Sequence, residues 1–381
     1  MGGERIYMDF ESIKKEFLIK EKMIYFNNAS IGPMSNRVIS RIMDFLNDVR
    51  DNGRVHYPDW CQYADMVIKR DIGKLIGADS SEIAFVKNTT EGILIVSNGI
   101  DWKPNDNVII ADIEYPSNVY CWMNLERKGV SIKWVKNKAG RILVENIEAL
   151  IDKNTRLVSL SAVQFSNGFK LDLERLGDLC KKRKILLNLD AIQWLGALHM
   201  DLSKYHIDFL SAGGHKWLLG PMGTGIFYCN KNSMDYIYPQ NVGYHSVDKS
   251  EDHMDYELVF RPNAGRFEEA LVNFPGIWGL HEAIKIFLEL GTEKVERHIY
   301  ELVSHAIEGL KAKGYEIISP LGEKERSGIL SFRPPTVSSE EVYANLIKND
   351  INVAIRAGNL RMSPSIYNDH EEVDRFLKIL N

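Results

Sequence analysis

A histidine–lysine pair, His215-Lys216, lies in the run Phe209-Leu-Ser-Ala-Gly-Gly-His-Lys-Trp-Leu-Leu-Gly-Pro-Met-Gly-Thr-Gly225. Lysine ordinarily sits on exposed helix faces, where its charge is solvated. This one stands among glycines and apolar residues in a segment built to bend. Desolvation disfavours the ammonium, and the neutral amine is a nucleophile that forms a Schiff base with a carbonyl. Two ordinary surface residues would read the same way in isolation, so the rest of the chain must decide.

Other residues suited to chemistry fall at regular places. Asp190 follows the apolar run Ile185 to Leu189, with Gln193 three residues later. A carboxylate there could hold the pyridinium nitrogen of pyridoxal phosphate (PLP), the usual carbonyl partner of such a lysine; a helix N-cap is the structural alternative. Asn88-Thr89-Thr90-Glu91-Gly92 offers hydroxyls and free N–H groups at a helix start, suited to a phosphate or to simple capping. Tyr115 could lay an aromatic face on a cofactor ring, or simply pack. Asn167, before Gly168, could donate to an oxyanion or carboxylate, or only shape a turn.

The elements that must position these residues read as an alternating pattern. Strands are expected at Ile83 to Val86, Asn107 to Ala111, Val130 to Val135, Leu157 to Ala162, Ile185 to Leu189 and Ile207 to Leu210. Helices are expected at Thr89 to Gly99 and Asp172 to Arg183. Near-continuous apolar strands with helical crossovers imply an α/β fold with a mainly parallel sheet between helices. Ligands bind beyond the carboxyl ends of such strands, where each residue named above falls. After about Gly265 the pattern changes to two long helices, Pro275 to Leu290 and Thr292 to Lys313. Strands at Tyr315 to Ile318, Gly328 to Phe332 and Ile351 to Ile355 follow, with helices at Ser338 to Asn349 and Glu371 to Leu380. The expected organisation is an N-terminal segment (1–24) packing with the small domain, a large domain (25–264) and a smaller α+β domain (265–381).

At 381 residues, with 45% apolar and 26% charged residues and a net charge of -5, the composition is that of an ordinary globular protein. It carries no basic excess for nucleic acid or membrane. Its four cysteines, Cys61, Cys121, Cys180 and Cys229, form no CxxC pair, so neither a metal site nor a disulfide framework is expected. The first twenty residues lack the apolar core of a signal peptide, and no stretch is long enough to span a membrane. The expected location is cytoplasmic.

The ordered series of threonine pair, aromatic, asparagine, Asp-x-x-Gln and His-Lys-x-x-x-Gly-Pro resembles the class V aminotransferases. These are fold-type I PLP enzymes that include cysteine desulfurases, kynureninase and isopenicillin N epimerase. The resemblance runs from Tyr25-Phe-Asn-Asn-Ala-Ser-Ile-Gly-Pro33 to Arg361-Met-Ser-Pro-Ser-Ile-Tyr-Asn368. It implies a seven-stranded-type sheet in the large domain and a homodimer with active sites at the subunit interface. It further implies Lys216 as Schiff-base lysine and proton shuttle, Asp190 on the pyridine nitrogen and Gln193 on the ring hydroxyl. Thr89, Thr90 and His215 would hold the phosphate, and Tyr115 would stack on the ring. Asn167 would lie between ring hydroxyl and substrate carboxylate. Arg361, with Arg356 as a second arginine, would bind that carboxylate.

Four departures from the family pattern bear on the reaction. Desulfurases carry a sulfur-accepting cysteine between the two arginines, whereas here only Ala357-Gly-Asn-Leu360 intervenes. They stack a histidine where this chain has Tyr115, a poor proton shuttle near neutrality. Gly213 replaces a phosphate-binding serine, and Ala270-Leu271 stand where Gly-Thr normally contributes a hydroxyl from the partner subunit. The reading is a PLP-dependent enzyme acting on an α-amino acid, with aminotransfer placed first because it needs no group beyond the lysine. The alternatives are a carbon–sulfur or related lyase, an amino-acid epimerase, or a degenerate PLP-fold binding protein. Arg54, His56, Tyr57, Trp60, Tyr244 and His245 mark regions that could line the substrate pocket.

Overall fold

A computed structural model describes residues 9–248, 254 and 256–380. The first eight residues of the expected N-terminal segment, residues 249–253 and 255 near the expected domain boundary, and residue 381 lie outside the described residues. A short strand β1 (Ile24–Tyr25) precedes the main sheet. That sheet is built from β2 (Ile83–Val86), β3 (Asn107–Ala111), β4 (Ser131–Val135), β5 (Thr155–Ser161), β6 (Leu186–Asp190), β7 (Phe209–Gly213) and β8 (Gly225–Cys229). Their order is β2-β8-β7-β6-β5-β3-β4. The ladders from β4 to β7 are parallel, as the apolar runs predict. The strand β8, which the sequence reading left unassigned, returns antiparallel to β7 and pairs antiparallel with β2. Its residues are buried throughout, as are those of β2, β3 and β7. Burial on both faces is what a sheet sandwiched between helices requires.

Register decides where chemistry can occur. Ser161, Asp190 and Ser211 are paired across β5, β6 and β7. The carboxyl ends of three strands therefore meet in one row, and the loops leaving them share one mouth. The helix Thr89–Gly99 starts at the same end; the Asn88 side chain caps it by accepting the Glu91 N–H at 2.9 Å.

The C-terminal part forms a separate sheet of β9 (Glu316–Ile317), β10 (Leu330–Arg333), β12 (Ala354–Arg356) and β13 (Asn359–Met362), in the order β12-β13-β10-β9. Between β10 and β12, β11 (Ile351–Asn352) pairs in parallel with β1. An isolated bridge joins Asn27 to Ser363. These contacts hold the segment that follows β1, including Ser30, beside the last strands of the chain. Phe17 stacks on Tyr367 with ring centroids 4.5 Å apart, and Lys20 pairs with Asp369 and Glu372. No helix among the described residues is long and apolar enough to cross a membrane.

Candidate active site

Lys216 lies in the connection between β7 and β8, three residues past Gly213. Two glycines grip its backbone. The Gly32 N–H donates to the His215 carbonyl at 2.8 Å, and a Cβ on Gly32 would stand 2.2 Å from the Lys216 carbonyl oxygen. A Cβ on Gly196 would stand 2.4 Å from the Trp217 carbonyl oxygen. Trp217 is fully buried, and its indole N–H donates to Gln193 Oε1 at 2.7 Å. The lysine is thus presented from a clamped loop. Its Nζ sits 5.5 Å from the centre of the Tyr115 ring.

The electrostatics depart from surface behaviour in opposite senses for the two partners. Burial lowers the Lys216 ammonium to about 8, helped by the positive charges of Arg361 and Arg356 and opposed by Asp190. Burial raises the Asp190 carboxyl to about 7, opposed by the Ile192 N–H it accepts and by Lys216; the Glu114 charge adds to the rise. Asp190 is 3% exposed, and its Oδ1 accepts that N–H at 3.0 Å. Perturbed acid and base groups that feel each other's charge at the carboxyl ends of strands mark a candidate functional site.

At the helix start, Thr89 Oγ1 accepts the Gly213 N–H at 2.9 Å, and Thr90 Oγ1 donates to Ser117 Oγ at 2.9 Å. The His215 imidazole is shifted down by burial and by Lys216, which favours its neutral form. A Cβ on Gly213 would approach His215 Nδ1 at 3.0 Å, so the missing serine corresponds to space that the histidine ring overlies. Leu271 is exposed.

The end of the site that holds Arg356 and Arg361 is richer than the sequence reading anticipated. Arg361 is 1% exposed on β13; its Nη2 donates to Ser30 Oγ and its Nη1 to the Phe165 carbonyl, both at 2.7 Å. Its Nε is buried without a partner. Arg356 Nη2 reaches the same Ser30 oxygen at 3.2 Å. Burial and the neighbouring Arg356 lower the Arg361 guanidinium to about 9. Ser30 was not singled out beforehand, although the Asn-Asn-Ala-Ser motif contained it.

The amide side chains near the site are held by neighbouring protein groups. Asn167 Nδ2 donates to the Gly140 carbonyl at 2.7 Å, and its Oδ1 accepts the Phe169 N–H at 3.0 Å. Both of these bonds run to backbone groups, beside the turn completed by left-handed Gly168 and two residues from the Phe165 carbonyl that Arg361 bonds. Gln164, three residues earlier, has a buried Oε1 without a partner, while its Nε2 donates to Glu114 at 2.9 Å. Gln193 bridges Trp217 and the Ala29 carbonyl. Glu114, buried beside Tyr115, also accepts from Ser161 and Asn118, a network the sequence reading missed. Its signal was an acid three residues past an apolar strand.

The residues marked as possible pocket lining pack against one another and their neighbours. Tyr57 and Trp60 pack with Phe45 and Phe274, Arg54 lies over the Tyr57 ring, and His56 and Trp60 share Asp48. The Tyr244 and His245 rings meet edge to face at 5.1 Å.

β12 and β13 are joined by Ala357 and Gly358, both with positive φ. Such two-residue hairpins match the twist of their strands and leave no reach for a long loop. Burial pushes the thiols of Cys121 and Cys180 up to about 12, and that of Cys229 higher still. Among the described residues no group of three or more His, Cys, Asp or Glu could hold a metal ion.

The family model Aminotransferase class-V matches residues 24–376. The chain belongs to the class V aminotransferase family. Within that family it is 27% identical to a probable cysteine desulfurase of Pyrococcus abyssi, over 97% of this chain and 96% of the relative. A cysteine desulfurase from Thermococcus onnurineus NA1, solved in its apo form, superposes with a TM-score of 0.88 at 26% identity, covering 97% of this chain and 96% of that one. C-DES has the same fold. Solved as a cystine C–S lyase with its product cysteine persulfide, it gives a TM-score of 0.87 at 22% identity, covering 94% of this chain and 97% of that one. As a mutant with glycine covalently linked to its PLP cofactor, it gives 0.90 at 21% identity, covering 96% and 98%.

Proposed function

We propose that this class V protein is a PLP-dependent lyase that removes a β-substituent, most simply a sulfur group, from an α-amino acid without forming a persulfide on the protein. The observation that carries the reading is Lys216, with its lowered proton affinity, coupled to buried Asp190 and near two arginines that have no carboxylate partner among the described residues. The residues present fit the cofactor. Lys216 Nζ would hold its aldehyde carbon, Asp190 its ring nitrogen, and the Tyr115 ring would cover one face. The first-turn N–H groups of Thr89 and Thr90, with the Thr90 hydroxyl, would take the phosphate. When bound, PLP supplies an electron-withdrawing ring that stabilises negative charge on the substrate Cα.

The chain's own groups do the rest. Arg361 orients the substrate by its α-carboxylate, a task suited to a planar donor fork. A lysine titrating near 8 is partly neutral at working pH and takes the proton from Cα. Asp190 keeps the ring nitrogen's proton in place. The two-residue hairpin at Ala357-Gly358 offers no thiol to receive sulfur, so the leaving group departs free. Aminotransfer, placed first from the sequence, yields to the lyase reading because cysteine desulfurases prevail among the named relatives, although one relative is named an uncharacterized aminotransferase. A homodimer is part of the proposal. Ile39, Met43 and Leu46 leave an apolar stripe exposed on the helix Asn36–Asn52, which a second copy would cover.

The test is to incubate the PLP-loaded protein with L-cysteine, S-substituted cysteines and cystine, and to assay pyruvate, sulfide and alanine. Pyruvate formation independent of any keto acid, lost in Lys216→Ala, is expected. Turnover only with a keto-acid acceptor would move the assignment to aminotransfer. A protein that takes up no PLP would sink the enzyme reading.

A further inference from the structure

Resting on the amino-acid reading above, we propose that the substrate carries a second anionic group on its side chain, which Arg356 recognises while Arg361 takes the α-carboxylate. Both guanidinium groups converge on one oxygen. Arg361 Nη2 stands 2.7 Å and Arg356 Nη2 3.2 Å from Ser30 Oγ. Ser30 donates its own proton to Asn27 Oδ1 at 2.7 Å, so it faces both arginines as an acceptor. Their remaining bonds run to neutral backbone carbonyls, Phe165 at 2.7 Å and Ile355 at 2.8 Å. Among the described residues neither guanidinium is paired with a carboxylate.

Other sheltered cations find a partner of their own: half-buried Lys170 and Arg326 lie over the face of the Tyr300 ring, and two more are matched by carboxylates. Buried Lys69 is matched by Asp65 at 2.7 Å and Glu268 at 2.9 Å. Arg37 is matched by Glu282 at 2.6 Å and Glu289 at 2.7 Å. A sheltered charge without a counter-ion destabilises the fold, so two together, on adjacent strands and aimed at one point, mark a place where anionic charge arrives with a ligand. One α-carboxylate brings a single negative charge to two guanidinium groups, and Asp190 already faces Lys216. A side-chain carboxylate, sulfinate or similar oxyanion supplies the missing charge. Sharing one oxygen keeps the two Nη2 atoms within the sum of those two distances, a reach that suits the acid groups of a short dicarboxylic skeleton. The substrate class is therefore a short acidic α-amino acid or a cysteine derivative with an oxyanion on its leaving group.

Calorimetric binding to the PLP-loaded protein tests this without turnover, using succinate as the two-anion probe and butyrate as the one-anion probe. Succinate is expected to bind about tenfold more tightly. Arg356→Gln should bring succinate to the level of butyrate and leave butyrate unchanged, while Arg361→Gln should weaken both. Equal binding of the two probes by the wild-type protein would overturn the proposal. So would an Arg356→Gln variant that loses both in equal proportion, because Arg356 would then be a second grip on the same carboxylate. Cofactor uptake, followed by visible absorbance in the same samples, reports separately on the enzyme reading.

Discussion

Replacing Lys216 by methionine should stabilise the cofactor-free protein at pH 7 while abolishing its covalent capture of PLP. The wild-type ammonium falls from 10.5 to about 8 because burial and two nearby arginines disfavour its charge. At about 1.4 kcal/mol per tenfold change in proton affinity, that fall sets about 3 kcal/mol against the fold below pH 8. The lysine is only partly sheltered, and methionine also removes an attraction for Asp190, so about 2 kcal/mol is the expected net gain. Methionine preserves an unbranched chain of similar volume, so cavity formation is a minor term. The pH dependence follows directly. An unfolded lysine keeps its proton up to about 10.4, whereas the folded one loses it near 8. Between those values the unfolded state holds more protons, and wild-type stability rises with pH. The variant lacks that rise, so its advantage should shrink toward pH 10. Thermal unfolding of both proteins without PLP at pH 7 and 9.5 measures this, with the variant's midpoint about 2–3 °C higher at pH 7. A variant less stable than wild type at pH 7, or an advantage unchanged at pH 9.5, would refute the claim that the fold holds this lysine under electrostatic strain.

Gly32→Ala should lower stability by about 2–4 kcal/mol and impair PLP uptake, because its Cβ would meet the Lys216 carbonyl, a backbone group with little room to yield; denaturant titration and visible absorbance check both effects. Asp190→Asn should flatten the stability profile between pH 4 and 7. The folded aspartic acid keeps its proton to about 7, so wild-type stability falls as pH rises through that window; the variant should also bind PLP more weakly. Thr89→Val should cost about 1–3 kcal/mol, measured by urea unfolding, because it leaves the buried Gly213 N–H without its acceptor.

Where signals are local, sequence alone located the elements. The expected strands Ile83 to Val86 and Asn107 to Ala111 and the helix Thr89 to Gly99 coincide with the observed spans, since apolar runs and an Asn88 cap act within a few residues. The same locality drew attention to Asp190, which closes the buried strand β6, and to Lys216, three residues past β7. β8 and β13 were missed because an antiparallel return leaves no mark of its own in a short run, even where, as for β13, the partner strand lies only two residues away. The bond from Asn167 to the Gly140 carbonyl was likewise invisible, since its partner lies 27 positions away.

The residue types and their order along the chain settled which family chemistry to expect, because a lysine among glycines and an aspartate after an apolar strand carry their meaning in one dimension. Only the tertiary structure decided the charge balance. It brings Ser30, from the segment after β1, against Arg356 and Arg361, more than three hundred residues later, by pairing β1 with β11. It also grips the Lys216 loop with Gly32 and Gly196 from two distant segments. Proton affinities and unneutralised guanidinium groups depend on distance and burial in three dimensions, which residue spacing along a chain does not encode.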